Sequence, residues 1–114
     1  MNFAPVAMFV HARATHTRRT LEALVRNDGA QETALFVFAD AARSPAEAAA
    51  VDEVRALLRE DWAFKAVHIV EREHNLGLAR SIVDGVSAVT AEFGAAIIME
   101  DDLETAPGFL TFMN

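Results

Sequence analysis

The chain has 114 residues, 53% of them hydrophobic, with no cysteine and a formal net charge of -7. That is enough apolar material for one packed domain, 1–114, and too much for wholesale disorder. Disulfides and thiolate metal sites are excluded, and the acidic balance argues against binding nucleic acid through its phosphate backbone.

The opening stretch, Met1 to Val10, is apolar but short and lacks a basic leader region. It reads as a buried strand and not as a signal peptide or membrane span. Pro5 to Val10 is continuous and β-rich, as in a strand covered on both faces. Thr15 or Thr17 is expected to cap a helix carrying Leu21, Leu24 and Val25 inward, stopped by Asn27-Asp28-Gly29. Leu35 to Ala39 predicts a second buried strand ending at Asp40. Ser44-Pro45-Ala46-Glu47 has the form of a capping box with proline in the first helical position. The helix it opens carries Val51, Val54, Leu57 and Leu58 inward, and Trp62 and Phe64 in the following connection cover the core edge.

Ala66 to Val70 predicts a third strand. Asn75-Leu76-Gly77 turns into a helix with Leu78, Ile82, Val86 and Val89 on one face, ended by Gly94. Ala95 to Met99 predicts a fourth strand that runs into Glu100-Asp101-Asp102, and Pro107 opens a short last helix with Phe109, Leu110 and Phe112. Strict alternation of strand and helix predicts an α/β fold. Its expected core is a mostly parallel, Rossmann-like sheet of about four strands with helices on both faces. Such sheets bind ligands beyond the carboxyl ends of their strands, where strand order reverses. The stretches to watch are therefore His11 to Thr15, Asp40 to Arg43, Glu71 to Asn75 and Glu100 to Glu104.

The last of these places four carboxylates, Glu100, Asp101, Asp102 and Glu104, in five positions. Crowded carboxylates repel unless a cation joins them, and an all-oxygen donor set suits Mg²⁺ or Mn²⁺. The same residues would also serve as an acidic cap on the following helix, and the local pattern alone does not separate the two readings. Its position after the fourth buried strand favours the ligand site. The histidines His11, His68 and His74 show no metal-ligand spacing.

The segment Ile97 to Phe109, with its EDDLE and AP elements, resembles the acidic motif of the N-acetylglucosaminyltransferase I family, which has the GT-A fold. Arg13 after the first strand and Asp40 after the second are similar to that family too. Asn75-Leu76-Gly77-Leu78-Ala79-Arg80 looks more like family-2-type bacterial glycosyltransferases. The resemblance implies the N-terminal, donor-binding part of a GT-A fold. In it, Asp102 would hold Mn²⁺ or Mg²⁺ on the donor diphosphate, and Glu100 and Asp101 would approach ribose and sugar. Asp40 would contact the base, Arg13 would lie near the nucleotide, and Arg80 would reach toward the acidic cluster or a phosphate. The implied ligand is a nucleotide sugar, UDP-sugar favoured, with a saccharide or other acceptor in a longer protein. The acceptor base is expected beyond residue 114.

On this reading the chain is a truncated part of a longer enzyme, cytoplasmic, with an open sheet edge that invites self-association. The competing readings are a non-catalytic nucleotide-binding module of the same fold and a sugar-phosphate nucleotidyltransferase relative. The second lacks the glycine-rich loop expected after its first strand, since His11 to Thr17 contains no glycine.

Overall fold

The computed structural model describes residues 3–101 and 105–114. Four strands form one parallel sheet: β1 (Val6–Val10), β2 (Ala34–Ala39), β3 (Ala66–Glu71) and β4 (Ile97–Glu100), in the order β3-β2-β1-β4. The helices between them are α1 (Ala14–Val25), α2 (Ala48–Leu58) and α3 (Leu78–Phe93), and α4 (Phe109–Met113) follows the sheet. The alternation read from the sequence is therefore the architecture, with every strand pair parallel.

The period of two along β1 divides the core. Val6, Met8 and Val10 pack with Leu21 and Leu24 of α1 and Val54, Leu57 and Leu58 of α2. Ala7 and Phe9 face the other way, toward Val86 and Val89 of α3. β2 repeats the division, with Leu35, Val37 and Ala39 on the first face and Phe36 and Phe38 on the second. Burial of each such side chain contributes about 1.5–3 kcal/mol, and a central strand covered on both faces gains from every residue. All five residues of β1 are buried accordingly.

α1 buries Thr17, Thr20, Leu21 and Leu24, a single stripe at helical spacing. It starts earlier than expected. Arg13 is its N-cap, no side chain caps it, and the Thr17 N–H already bonds the Arg13 carbonyl. Thr17 is thus an inward-facing residue of the first turn and not the cap. The expected capping box at Ser44 also takes another form. Pro45 does open a turn, the 3₁₀ segment Pro45–Glu47, but Ser44 makes no side-chain cap. Glu47 instead accepts the Arg43 backbone N–H at 2.8 Å, one residue before the box would place it. The helix beyond carries Val51, Val54, Leu57 and Leu58 inward as expected.

α3 lies unusually close to the sheet. A Cβ at Gly85 would sit 2.7 Å from Phe9 and 3.0 Å from Phe38, whose rings stack with centroids 5.2 Å apart. Glycine is required there by the approach of helix to strand. The inward stripe of α3 runs through Ile82, Gly85, Val86 and Val89. Leu78, expected on the same face, is 55% exposed at the helix start. Gly94 closes the helix in the left-handed conformation, φ 80°. Among the described residues, no helix is long and apolar enough to cross a membrane.

Candidate functional site

The chain runs outward from β1 through β2 to β3, then crosses back to β4 on the far side of β1. The first two crossovers pass over one face of the sheet through α1 and α2, and the third passes over the other face through α3. Strand order reverses between β1 and β4, so the connections that leave those strands part company there. A cleft opens at such a point because no loop bridges it. Here it has a volume of about 580 Å³.

One rim is built on Asp40, the residue after β2. Its side chain is buried and its two oxygens each accept two hydrogen bonds. Oδ1 takes the backbone N–H of Ala41 and of Leu76, both at 2.9 Å. Oδ2 takes the Gly77 N–H at 3.0 Å and the Asn75 side-chain amide at 3.2 Å. Asn75 also donates to the Ala41 carbonyl at 2.8 Å. The carboxylate thus ties the connection after β3 to the end of β2. Gly77 completes the turn at φ 79°, ψ 159°, a region essentially confined to glycine. The resemblance gives Asp40 to the nucleotide base, whereas in this geometry its acceptor positions are taken by the protein.

The opposite rim is the end of β4. Glu100 and Asp101 line the cleft. The segment is held by its backbone: buried Thr20 of α1 donates its hydroxyl to the Asp101 carbonyl at 2.8 Å. Further along, buried Asn27 accepts the Leu110 N–H and donates to the Thr105 hydroxyl and the Ala23 carbonyl. The Asp28 N–H adds a bond to the Pro107 carbonyl. Arg13, from the β1–α1 turn, donates to Asp101 Oδ1 at 3.1 Å, so the basic and acidic edges meet across the switch point.

A third wall comes from His11, Arg43 and Glu47. Glu47 holds the Arg43 guanidinium at 2.8 Å, and His11 Nε2 lies 3.4 Å from the same carboxylate. The Arg43 side chain, then its backbone N–H, hold the Glu47 carboxyl down at about 2 from an ordinary 4.5, against the cost of desolvation. His11 also donates from Nε2 to the Ala41 carbonyl at 3.0 Å, which requires the Nε2-protonated form.

Of the residues singled out from sequence, Arg13, Asp40, Glu100 and Asp101 come together around this cleft. Asp102, the expected metal ligand, lies outside the described residues, as does Glu104. Among the described residues, no three His, Asp or Glu side chains gather into a metal-holding group. Arg80 is not part of the lining. It is on the surface of α3, 3.8 Å from Asp84 and largely exposed. The stretch Glu71 to His74 does not line the cleft, but Asn75 does.

Six lining residues lie outside the stretches singled out from sequence: Phe9 and Val10, read there only as strand core, and Glu47, Gly77, Leu78 and Ser81. Gly77 carried a signal in its place just ahead of a helix. Ser81, one turn into that helix, looked like any small polar helix residue. No protein-family model matches the chain and no curated protein matches it significantly.

Proposed function

We propose that the cleft between β1 and β4 binds a nucleoside diphosphate sugar, UDP-sugar by preference, together with a divalent cation. The domain is then the donor-binding part of a glycosyltransferase acting on a saccharide or other acceptor. One observation carries this reading. The acidic end of β4 and the basic turn after β1 face each other at the strand-order reversal, with Arg13 on Asp101. A ligand that is anionic but travels with a cation can engage both.

The donor chemistry of the lining fits Mn²⁺ or Mg²⁺. Glu100 and Asp101 offer oxygen atoms only, and such ions need one or two protein carboxylates, their other positions going to water and phosphate. The bound cation would supply Lewis-acid stabilisation of the charge that develops on a departing diphosphate. The resemblance assigns the metal to Asp102, and Glu100 and Asp101 to ribose and sugar. Thr20 fixes the backbone of Asp101, which holds Glu100 and Asp101 at the rim of the cleft. Arg13 would bind the nucleotide by exchanging its carboxylate partner for a phosphate or ribose oxygen. Asp40 would act on the base indirectly, by holding the Asn75–Gly77 wall in place.

Calorimetric titration with UDP and with GDP, each with and without Mn²⁺, tests the reading. Binding of a nucleoside diphosphate that needs the metal, and that added Mn²⁺ no longer strengthens in Asp102→Ala, is the expected result. Metal-independent binding, or none with either nucleotide, contradicts it.

A further inference from the structure

The cleft contains a feature that the acidic rim does not account for. α3 begins at its wall: Gly77 and Leu78 line the cleft, and so does Ser81, one turn along. The first helical hydrogen bond at this end runs from the Ser81 N–H to the Gly77 carbonyl. The amides of Leu78, Ala79 and Arg80 therefore precede the ladder, and no side chain caps them. Asp40 takes the two amides just before, at Leu76 and Gly77, and fixes the direction in which the helix end faces.

The second observation is Ser81 itself. The residue is 2% exposed, yet among the described residues its buried hydroxyl has no hydrogen-bond partner. A buried hydroxyl without a partner is unfavourable, and serines in helices ordinarily avoid that by bonding a carbonyl one turn back. Thr90 of the same helix does so, donating to the Val86 carbonyl at 2.7 Å. Ser81 does not, and it lines the cleft at the end where the helix dipole is positive.

We infer that the N-terminal end of α3 is a phosphate site, in which the amides of Leu78 to Arg80 and the Ser81 hydroxyl donate to one phosphoryl group. The identity of the anion, the diphosphate of a nucleotide, rests on the donor reading above. The site itself rests on other atoms. Four carboxylates, Asp40, Glu47, Glu100 and Asp101, line the cleft against two guanidinium groups, Arg13 and Arg43. A phosphate therefore enters as its cation complex, with the cation toward β4 and the phosphoryl oxygens toward α3. No lysine is needed, because oriented amides and a hydroxyl supply the donors.

The experiment is a ¹⁵N-amide NMR titration of the whole chain with magnesium pyrophosphate, repeated with UDP plus Mg²⁺ and on Ser81→Ala. Saturable shifts at Leu78, Ala79, Arg80 and Ser81 are expected in the wild-type protein. The variant, folded as judged by its own spectrum, is expected to bind pyrophosphate about 10- to 150-fold more weakly, as loss of one hydrogen bond to a charged group implies. No binding of pyrophosphate, binding that leaves those four signals unmoved, or unchanged affinity in Ser81→Ala overturns the inference. The wild-type mapping decides the matter even if the variant does not fold. If UDP binds with its metal but α3 is silent, the α3 site falls and the donor reading stands. If pyrophosphate moves α3 and UDP binds no better than pyrophosphate, the α3 site stands and the nucleotide reading falls.

Discussion

The two rims of the cleft each place an acidic residue at the end of a buried strand, and they use it in opposite ways. After β2, Asp40 is buried and both its oxygens are filled by donors from Ala41, Asn75, Leu76 and Gly77. After β4, Thr20 and Asn27 hold the chain through backbone and neutral groups, while Glu100 and Asp101 line the cleft and the Asp101 carboxylate accepts Arg13 across it. A carboxylate spent on backbone amides builds a wall. One whose backbone is held by other groups keeps its carboxylate for a side-chain partner, here the half-exposed Arg13. Position at a strand end selects both residues, and only the hydrogen-bond partners distinguish their roles.

Breaking the wall is expected to have the largest effect. Asp40→Ala leaves two loop amides, the Ala41 amide and Asn75 without their acceptor. It should lower stability by about 3 kcal/mol in a urea titration, since hydrogen bonds to charged groups are each worth about 1.5–3 kcal/mol and water recovers part of the loss. Hydrogen exchange at Leu76 and Gly77 should accelerate with it. Gly77→Ala attacks the same wall through its backbone. There is open space for the methyl group, so only the positive φ opposes it, at a cost of about 1–3 kcal/mol.

The other rim should respond differently. Thr20→Val keeps the side-chain shape in a buried position but removes the hydroxyl that holds the Asp101 carbonyl. A loss of about 1 kcal/mol is expected, with a fall in metal-dependent nucleotide affinity that Gly77→Ala does not match for its larger loss of stability. Equal effects on affinity per unit of stability would erase the distinction between the rims.

The smallest effect lies on the third wall. Glu47 is held down at about 2 by Arg43, so its contribution is fully present above the ordinary value of 4.5 and is lost as pH falls through about 2. A ¹³C-carboxyl titration should place its midpoint near the lower value in the wild-type protein. Arg43→Gln should move it back up toward 4.5.

Much of this fold was legible because its signals are local and repeated. The continuous apolar runs at Val6–Val10 and Ala34–Ala39 announce strands covered on both faces, and the stripes at Leu21 and Leu24 or Val51 and Val54 announce the helices that cover them. The strand ends then pointed to Arg13, Asp40, Glu100 and Asp101, and these do meet. What escaped depends on partners distant in the chain. That Asp40 is saturated by a loop 35–37 residues later has no signature in the residues around it. Among the described residues the buried Ser81 hydroxyl has no partner, and its burial follows from how closely α3 lies on the sheet, where Gly85 meets Phe9 and Phe38. Thr17 was expected as a cap because threonine prefers caps. The helix starts a turn earlier, and burial of Thr17 beside Leu21 outweighs that preference.

The division between rims is tested most directly by paramagnetic broadening. Mn²⁺ at substoichiometric levels, with UDP, would be added to ¹⁵N-labelled protein. UDP-dependent loss of amide signals is expected, centred on Glu100 and Asp101 and spreading to Arg13. Leu76 and Gly77, behind the filled carboxylate of Asp40, should be broadened less. Broadening centred on Asp40 and the Asn75–Gly77 turn, or spread evenly over the surface acids, would contradict it.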